Sequence, residues 1–405
     1  MKVSGVSSYR WTILLLATLV QVGVSILQQA PAALGPVLIR DLDLSRVQIG
    51  LLSSAIWGGM LLGMLPVGLL IDRHGERRLI VAGVTTMALL VLWATQLRAF
   101  VLLLILFLLA SIGAASSAPG GSKAIAAWFP SSRRGGAMGI RQTGVTIGGL
   151  AAAFLLPPVA VRFGWEAALG LGAGVTLLTV LLFALFYREL SQEIDEGAAD
   201  DSYPPRVPVG SIVRDRGFLA TTGYAFVLMG VQGSAASYLA LSLHEEVGLS
   251  VVAAGAFLAV FQVGGIAGRI GWGVVSDKIG RRGPVMLLVG LVAMGSCLAM
   301  ASVGERTVIP LVAALAFLLG LSAMGWNGLY LTRLSESVPM HAAATAMGAS
   351  LTIAFVGMFL ASPLFGLAAD LTGSYDASWL GLAGWTVVGI ALGFLAREPH
   401  EGAKP

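Results

Sequence analysis

The sequence predicts an all-α transmembrane protein with twelve helices arranged as two pseudo-symmetric six-helix bundles. Three observations carry that reading: the length of the apolar runs, the sidedness of the lysines and arginines, and a pattern that recurs half a chain later. Hydrophobic residues make up 57% of the chain and charged ones only 11%, less than half the charge of an ordinary water-soluble domain. The apolar residues come in runs of roughly twenty, the length a helix needs to cross a hydrocarbon core. Inside lipid the backbone must satisfy its own hydrogen bonds, so such runs form helices.

The expected spans are 12–32, 47–71, 79–97, 99–129, 137–160 and 167–187, then 217–240, 250–272, 284–302, 308–330, 345–366 and 378–396. The first run follows Lys2 and Arg10 in the manner of a leader peptide. No small-residue cleavage site follows it, so it reads as a retained helix. The single cysteine, Cys297, lies inside a span and leaves no disulfide to be made within the chain. Residues 189–215 are polar, acidic at the centre, basic at the ends and interrupted by proline. They form a cytoplasmic linker between an N-terminal bundle, 1–188, and a C-terminal bundle, 216–405.

Counting basic residues by loop fixes the direction. With both termini on one side, seventeen of the 25 lysines and arginines fall on that side and five on the other. The positive-inside bias makes the richer side cytoplasmic. The chain is accordingly expected in a bacterial inner membrane, with both termini in the cytoplasm. The remaining three, Lys123, Arg141 and Arg269, fall inside spans.

The halves echo one another. Gly59, Gly63, Gly68, Asp72 and Gly75 return as Gly264, Gly268, Gly273, Asp277 and Gly280, each displaced by 205 positions. Pro130 and Ala137-Met138-Gly139 return as Pro339 and Ala346-Met347-Gly348, displaced by 209. Two echoes in corresponding loops argue for duplication of a six-helix unit. Paired glycines one turn apart let helix backbones approach closely. An aspartate between two helices can cap the second and pair with nearby arginines. Gly68, Asp72, Arg73, Arg77, Gly273, Asp277 and Arg281 therefore read as a conformational latch.

The run Gly68-Leu-Leu-Ile-Asp72-Arg73-His-Gly75-Glu-Arg77-Arg78 and its weaker copy from Gly273 to Arg282 resemble the loop signature of the major facilitator superfamily. The resemblance implies two six-helix bundles around a central cavity, lined chiefly by helices one, four, seven and ten. It also implies transport by alternating access. The stretch Lys123-Ala-Ile-Ala-Ala-Trp128-Phe129-Pro130, followed by Gly139-Ile-Arg141-Gln142-Thr143-Gly144, is similar to bacterial organic-anion and monocarboxylate carriers of that superfamily.

Ionisable groups inside spans are costly and face protein or water. Two readings stand for Lys123 and Arg141: snorkelling toward the inner headgroups, or contact with an anion, since guanidinium pairs bidentately with carboxylate. Gln21 and Gln28 share one face of the first helix. Tyr224 and Gln232 share roughly one face of the seventh, and Trp326, Asn327 and Tyr330 form a polar and aromatic patch on the tenth. Each can serve in helix-to-helix hydrogen bonding; jointly they fit a substrate-binding pocket. No acid falls at a membrane midplane, so the basic excess inside the spans favours an anionic solute, with proton coupling left open. Phosphate-loop and zinc-protease motifs are absent from the sequence, and the basic loops answer to topology rather than to nucleic acid. The expectation is a non-enzymatic secondary carrier of a small organic anion, in contact with membrane lipid, without cofactor or metal and functional as a monomer. An exporter of an amphipathic compound and a non-transporting receptor are the alternatives.

Overall fold

The computed structural model describes residues 3–188, 215–336 and 343–395. The expected linker therefore lies outside the described residues, apart from Asp215 at its end, and so does Pro339. Fourteen helices follow one another among the described residues: α1 (Val3–Leu42), α2 (Arg46–His74), α3 (Glu76–Ala94), α4 (Phe100–Ala114), α5 (Ser117–Trp128), α6 (Ser131–Phe163) and α7 (Trp165–Phe186). Then come α8 (Arg216–Glu246), α9 (Val251–Ile279), α10 (Arg282–Met300), α11 (Ile309–Ala323), α12 (Asn327–Glu336), α13 (Ala343–Thr372) and α14 (Asp376–Leu395). They form twelve stretches long and apolar enough to cross a membrane, with α4–α5 and α11–α12 each making one broken span.

The first span is longer than expected. The expected end at residue 32 gives way to a helix that runs through Pro31 and Pro36 to Leu42. Proline is tolerated inside a transmembrane helix where neighbouring elements satisfy the freed backbone groups, and α1 is packed along much of its length on α6 and α7.

The chain divides into two compact units, Met1–Gln192 with Ala236–Gln262, and Glu193–Ala235 with Val263–Pro405. Within the first, α1 packs on α6, and α2 and α3 on α4. Within the second, α10 packs on α14 and on α11.

The internal repeat extends to individual contacts. A Cβ added at Gly59 would lie 2.2 Å from the Leu108 carbonyl oxygen, and one at Gly264 would lie 2.2 Å from that of Phe317. Gly63 meets Ile112 as Gly268 meets Leu321. Gly148 lies against the Val22 carbonyl of α1, and Gly357 against the Phe226 carbonyl of α8. These are backbone-to-backbone crossings that a side chain would push apart.

The turns repeat as well. Positive φ occurs at Asp43 and Gly248 (53° and 73°), at Gly75 and Gly280 (86° and 72°), and at Gly164 and Gly373 (87° and 76°). The first two pairs keep the offset of 205 and the third that of 209. Gly75 is the single residue between α2 and α3, capping the end of one and the start of the other, a junction that needs left-handed backbone. Ser45 caps α2 through a reciprocal capping box with Gln48, and Ser250, 205 positions on, accepts the Ala253 N–H at 3.2 Å ahead of α9. Three of the four residues by which the offset grows lie between the third and fourth spans, where five residues join α3 to α4 but eight join α10 to α11.

Candidate solute site

In the first unit the site begins with the α1–α6 crossing. Gln21, Ser25 and Gln28 stand on one face of α1 at helical spacing, and all three are buried. Gly144 and Gly148 of α6 admit α1 closely: an added Cβ would lie 2.8 Å from the Thr18 carbonyl or 2.5 Å from that of Val22. That approach brings Arg141, one turn before Gly144, against Gln21.

Arg141 is 4% exposed. One terminal nitrogen, Nη1, donates to Gln21 Oε1 at 3.4 Å and to the Ser117 carbonyl at 3.2 Å, and Nη2 donates to Ser122 Oγ at 3.2 Å. Its Nε has no partner among the described residues. Charge-assisted hydrogen bonds normally measure about 2.7–2.9 Å, so all three contacts are long. No carboxylate pairs with it among the described residues. Breaking up a buried ion pair by removing one partner costs about 3–5 kcal/mol, and among the described residues this guanidinium has no such partner. Gly121 provides its room, since a Cβ there would lie 2.8 Å from Nη1.

The acceptors come from the break in the fourth span. α4 ends at Ala114 and α5 begins at Ser117, and the Ser117 carbonyl and Ser122 hydroxyl turn toward Arg141. Gln21 continues the network, its Nε2 donating to Ser25 Oγ at 3.3 Å.

Two further amides stand unpaired. Gln28 is buried and its Nε2 has no partner among the described residues. Gln262 of α9 is 0% exposed, and neither Oε1 nor Nε2 has one. It lies against Gly149 of α6, where a Cβ would fall 2.5 Å from its Nε2. A buried polar group left unpaired costs about 1–3 kcal/mol. The sequence reading missed Gln262, although a lone amide in the apolar run from Val251 to Gly268 is itself a signal. It also missed Glu76, a buried carboxylate at the start of α3 that accepts the Tyr187 hydroxyl at 2.7 Å.

Lys123 goes elsewhere. It is half-buried, and its ammonium donates at 3.4 Å to the Ile71 carbonyl in the last turn of α2, where a cation meets the negative end of the helix dipole. The structure does not bring it into the Arg141 contacts.

The second unit assembles the other predicted residues into a neutral cluster. Gln232 Oε1 accepts from Trp326 Nε1 at 3.2 Å and from Asn327 Nδ2 at 3.1 Å. Trp326 stands edge-on to Tyr224 at 6.4 Å and tilted to Tyr330 at 5.3 Å, measured between ring centroids. Tyr224 donates to the Met286 carbonyl at 2.7 Å. Ser350 meets both the Tyr330 and the Thr222 hydroxyls. This cluster also surrounds a helix break, between Ala323 and Asn327. Arg269 donates to the Met324 carbonyl within it at 3.3 Å.

Of the predicted latch residues, Arg73 is exposed, Gly68 has open space beside it, and Arg77 Nη2 donates to the Ala184 carbonyl at 2.6 Å. The Asp72 side chain lies outside the described residues. In the second copy Gly273 likewise has open space. Asp277 pairs at 2.6 Å with Arg282, which also reaches Glu336 at 3.3 Å. Arg281, its neighbour, is exposed and precedes α10.

A cavity of about 210 Å³ opens between α13 and α14, lined by Ala361, Leu364, Phe365, Ala368, Gly381 and Trp385 among others. Its one hydroxyl, on Ser378, is committed to the Phe365 carbonyl at 2.8 Å. It carries none of the chemistry an anion needs.

The family profile described as Major Facilitator Superfamily matches residues 13–362. An uncharacterized MFS-type transporter of Mycobacterium tuberculosis is 27% identical over 82% of this chain and 72% of its own. A hexuronate transporter of Bacillus subtilis is 25% identical over 88% and 87%. Among solved structures, a bacterial homolog of the human lysosomal transporter Spinster, in an inward-facing and occupied conformation, superposes with a TM-score of 0.80. It is 20% identical over 96% of this chain and 97% of that one, a likeness of fold.

Proposed function

We propose that this chain, which belongs to the Major Facilitator Superfamily, is a secondary carrier of a small organic anion, a carboxylate, working by alternating access. One observation carries the reading: Arg141 is buried, has no carboxylate partner among the described residues, and makes only long hydrogen bonds to neutral acceptors. A carboxylate supplies the missing charge and accepts bidentately from a planar fork. Gln21 and Ser122 orient that fork. The relative named as a hexuronate transporter supports the same solute chemistry. In this reading Lys123 belongs with the end of α2 and with Asp72, Arg73 and Arg77 in the latch, and the Asp277–Arg282 pair serves the second copy. Gln28 lines the solute site with Gln21, while Tyr224, Gln232, Trp326, Asn327 and Tyr330 supply neutral contacts to the solute. The excess of basic residues on one side supports an inner-membrane carrier with both termini in the cytoplasm. One chain of twelve spans supplies a complete pathway.

The test is uptake by proteoliposomes of radiolabelled small mono- and dicarboxylates after a pH jump, comparing the parent with Arg141→Gln and Arg141→Lys. Uptake of an acid by the parent is expected, with loss in R141Q and partial retention in R141K, which keeps the charge but not the fork. A folded, correctly oriented parent that takes up no acid would overturn the assignment and bring export of an amphipathic compound forward. Uptake that responds to the pH gradient with the parent and not in protein-free vesicles would support coupling to protons.

A further inference from the structure

We propose that Gln28 and Gln262 form the neutral far end of the solute site, and that the solute is a hydroxylated monocarboxylate of the sugar-acid kind. Its carboxylate meets Arg141 and a distal hydroxyl meets the two amides. The inference rests on the reading of Arg141 as the anion contact.

Buried amides in folded proteins are almost always hydrogen-bonded. Here two side chains of one unit break that rule. Gln262 is fully buried with both amide atoms unpaired, and Gln28 is buried with its Nε2 unpaired. Both stand on helices that pack against α6, which carries Arg141. Gln28 stands two turns beyond Gln21 on α1. Gln262 lies against Gly149, whose neighbour Gly148 abuts Ser25 of α1. From Arg141 to Gly149 the α6 axis advances about 12 Å, and from Gln21 to Gln28 the α1 axis advances about 10 Å. An extended acid of roughly six carbons, with a hydrogen bond at each end, spans such an interval.

Charge decides which acid. No charged residue occurs on α1 from Trp11 to Ile39, on α6 from Gln142 to Val161, or on α9 from Val251 to Gly268. A second carboxylate at the amide end would leave water without a counter-charge from these helices. A hydroxyl donates and accepts, as does an amide whose oxygen and nitrogen are both free. One guanidinium and two amides thus match one carboxylate and a hydroxylated tail. Gly149 gives the Gln262 amide its room, because a side chain there would collide with it.

The experiment compares four six-carbon acids: gluconate, glucarate, hexanoate and adipate. Binding to the purified protein and uptake by proteoliposomes are measured for the parent, Gln262→Leu, Gln28→Leu and Arg141→Gln. A site built to bind a hydroxyl rejects the analogue that lacks it strongly. The parent should therefore prefer gluconate to hexanoate by about a hundredfold or more, and should prefer it to both diacids. In Q262L and Q28L the gluconate-to-hexanoate ratio should fall about tenfold or more, a change that general loosening of the protein does not produce. R141Q should weaken every acid alike.

Equal affinity for gluconate and hexanoate in the parent, or a ratio that survives in both leucine variants, overturns the hydroxyl inference and leaves the role of Arg141 standing. Preference for glucarate over gluconate overturns the monocarboxylate. Binding of no acid by folded parent protein overturns both the inference and the carboxylate reading beneath it. Should Q262L fail to fold, Q28L and the parent's own ranking of the acids decide.

Discussion

At the break in the fourth span the first unit holds a buried guanidinium with long, partial contacts. At the break in the tenth, the second unit holds a glutamine shared by an indole and an amide, with two tyrosines close by. The surrounding scaffold is the same: Gly59 meets Leu108 as Gly264 meets Phe317, Gly148 meets Val22 as Gly357 meets Phe226, and the left-handed turns recur in register. The two copies thus keep contacts that are set by backbone approach and differ where side chains meet one another. Backbone contacts tolerate only glycine, so they survive divergence, whereas a polar cluster can be rebuilt wherever its members remain paired. The first cluster is incompletely paired among the described residues and the second largely satisfied.

The largest expected effect tests that asymmetry. Arg141→Gln should cut carboxylate uptake at low solute concentration by about a hundredfold, the scale of losing a buried charge contact. Gln232→Leu should cut it by only about tenfold, since Trp326 and Asn327 keep their bonds to the Ala323 and Met324 carbonyls. Initial rates in proteoliposomes compare the two, and equal losses would erase the distinction between the clusters. Next come the shared crossings. Gly59→Ala and Gly264→Ala should each cost about 1–3 kcal/mol of stability through overpacking, and by similar amounts, because both added methyls meet a carbonyl at 2.2 Å. Gly268→Ala should cost more than Gly63→Ala, the distances being 2.1 Å and 2.8 Å. Thermal unfolding in detergent measures all four. The smallest effect lies at the caps: Ser45→Ala should cost about 1 kcal/mol, and Ser250→Ala less, because Gln48 completes a reciprocal box and Ala253 cannot. Equal costs in the same melting curves would mean that the box adds nothing.

The spans and the repeat were legible in the sequence because both are one-dimensional signals, a run of set length and an offset of set size. The broken spans were not, although the runs Ser116-Ser-Ala-Pro-Gly-Gly-Ser122 and Ser322-Ala-Met-Gly-Trp-Asn-Gly328 hold the residues of turns. Hydropathy averages over such a break, since small apolar residues keep the run continuous. The passage of α1 through two prolines was hidden because it depends on neighbouring helices. Arg141, Gln21 and the tenth-span cluster could be picked out as polar residues at helical spacing, but Lys123 could not be separated from Arg141 on sequence alone. Both lie near the facing ends of adjacent spans, and only the fold shows that one turns to the Ile71 carbonyl and the other to Gln21. Gln262 escaped because its meaning lies in the absence of any partner among the described residues, which no sequence pattern displays.

The broken spans also divide labour mechanically. In the fourth, the glycine crossings with α2 fall on α4, at Leu108 and Ile112, while the Arg141 acceptors fall on α5, at Ser117 and Ser122. In the tenth, the crossings with α9 fall on α11, at Phe317 and Leu321, while Asn327 and Tyr330 fall on α12. Each span is therefore a clamped rod joined by a short link to a rod that bears polar contacts. Along the chain, a load placed on the second rod reaches the first through two or three residues.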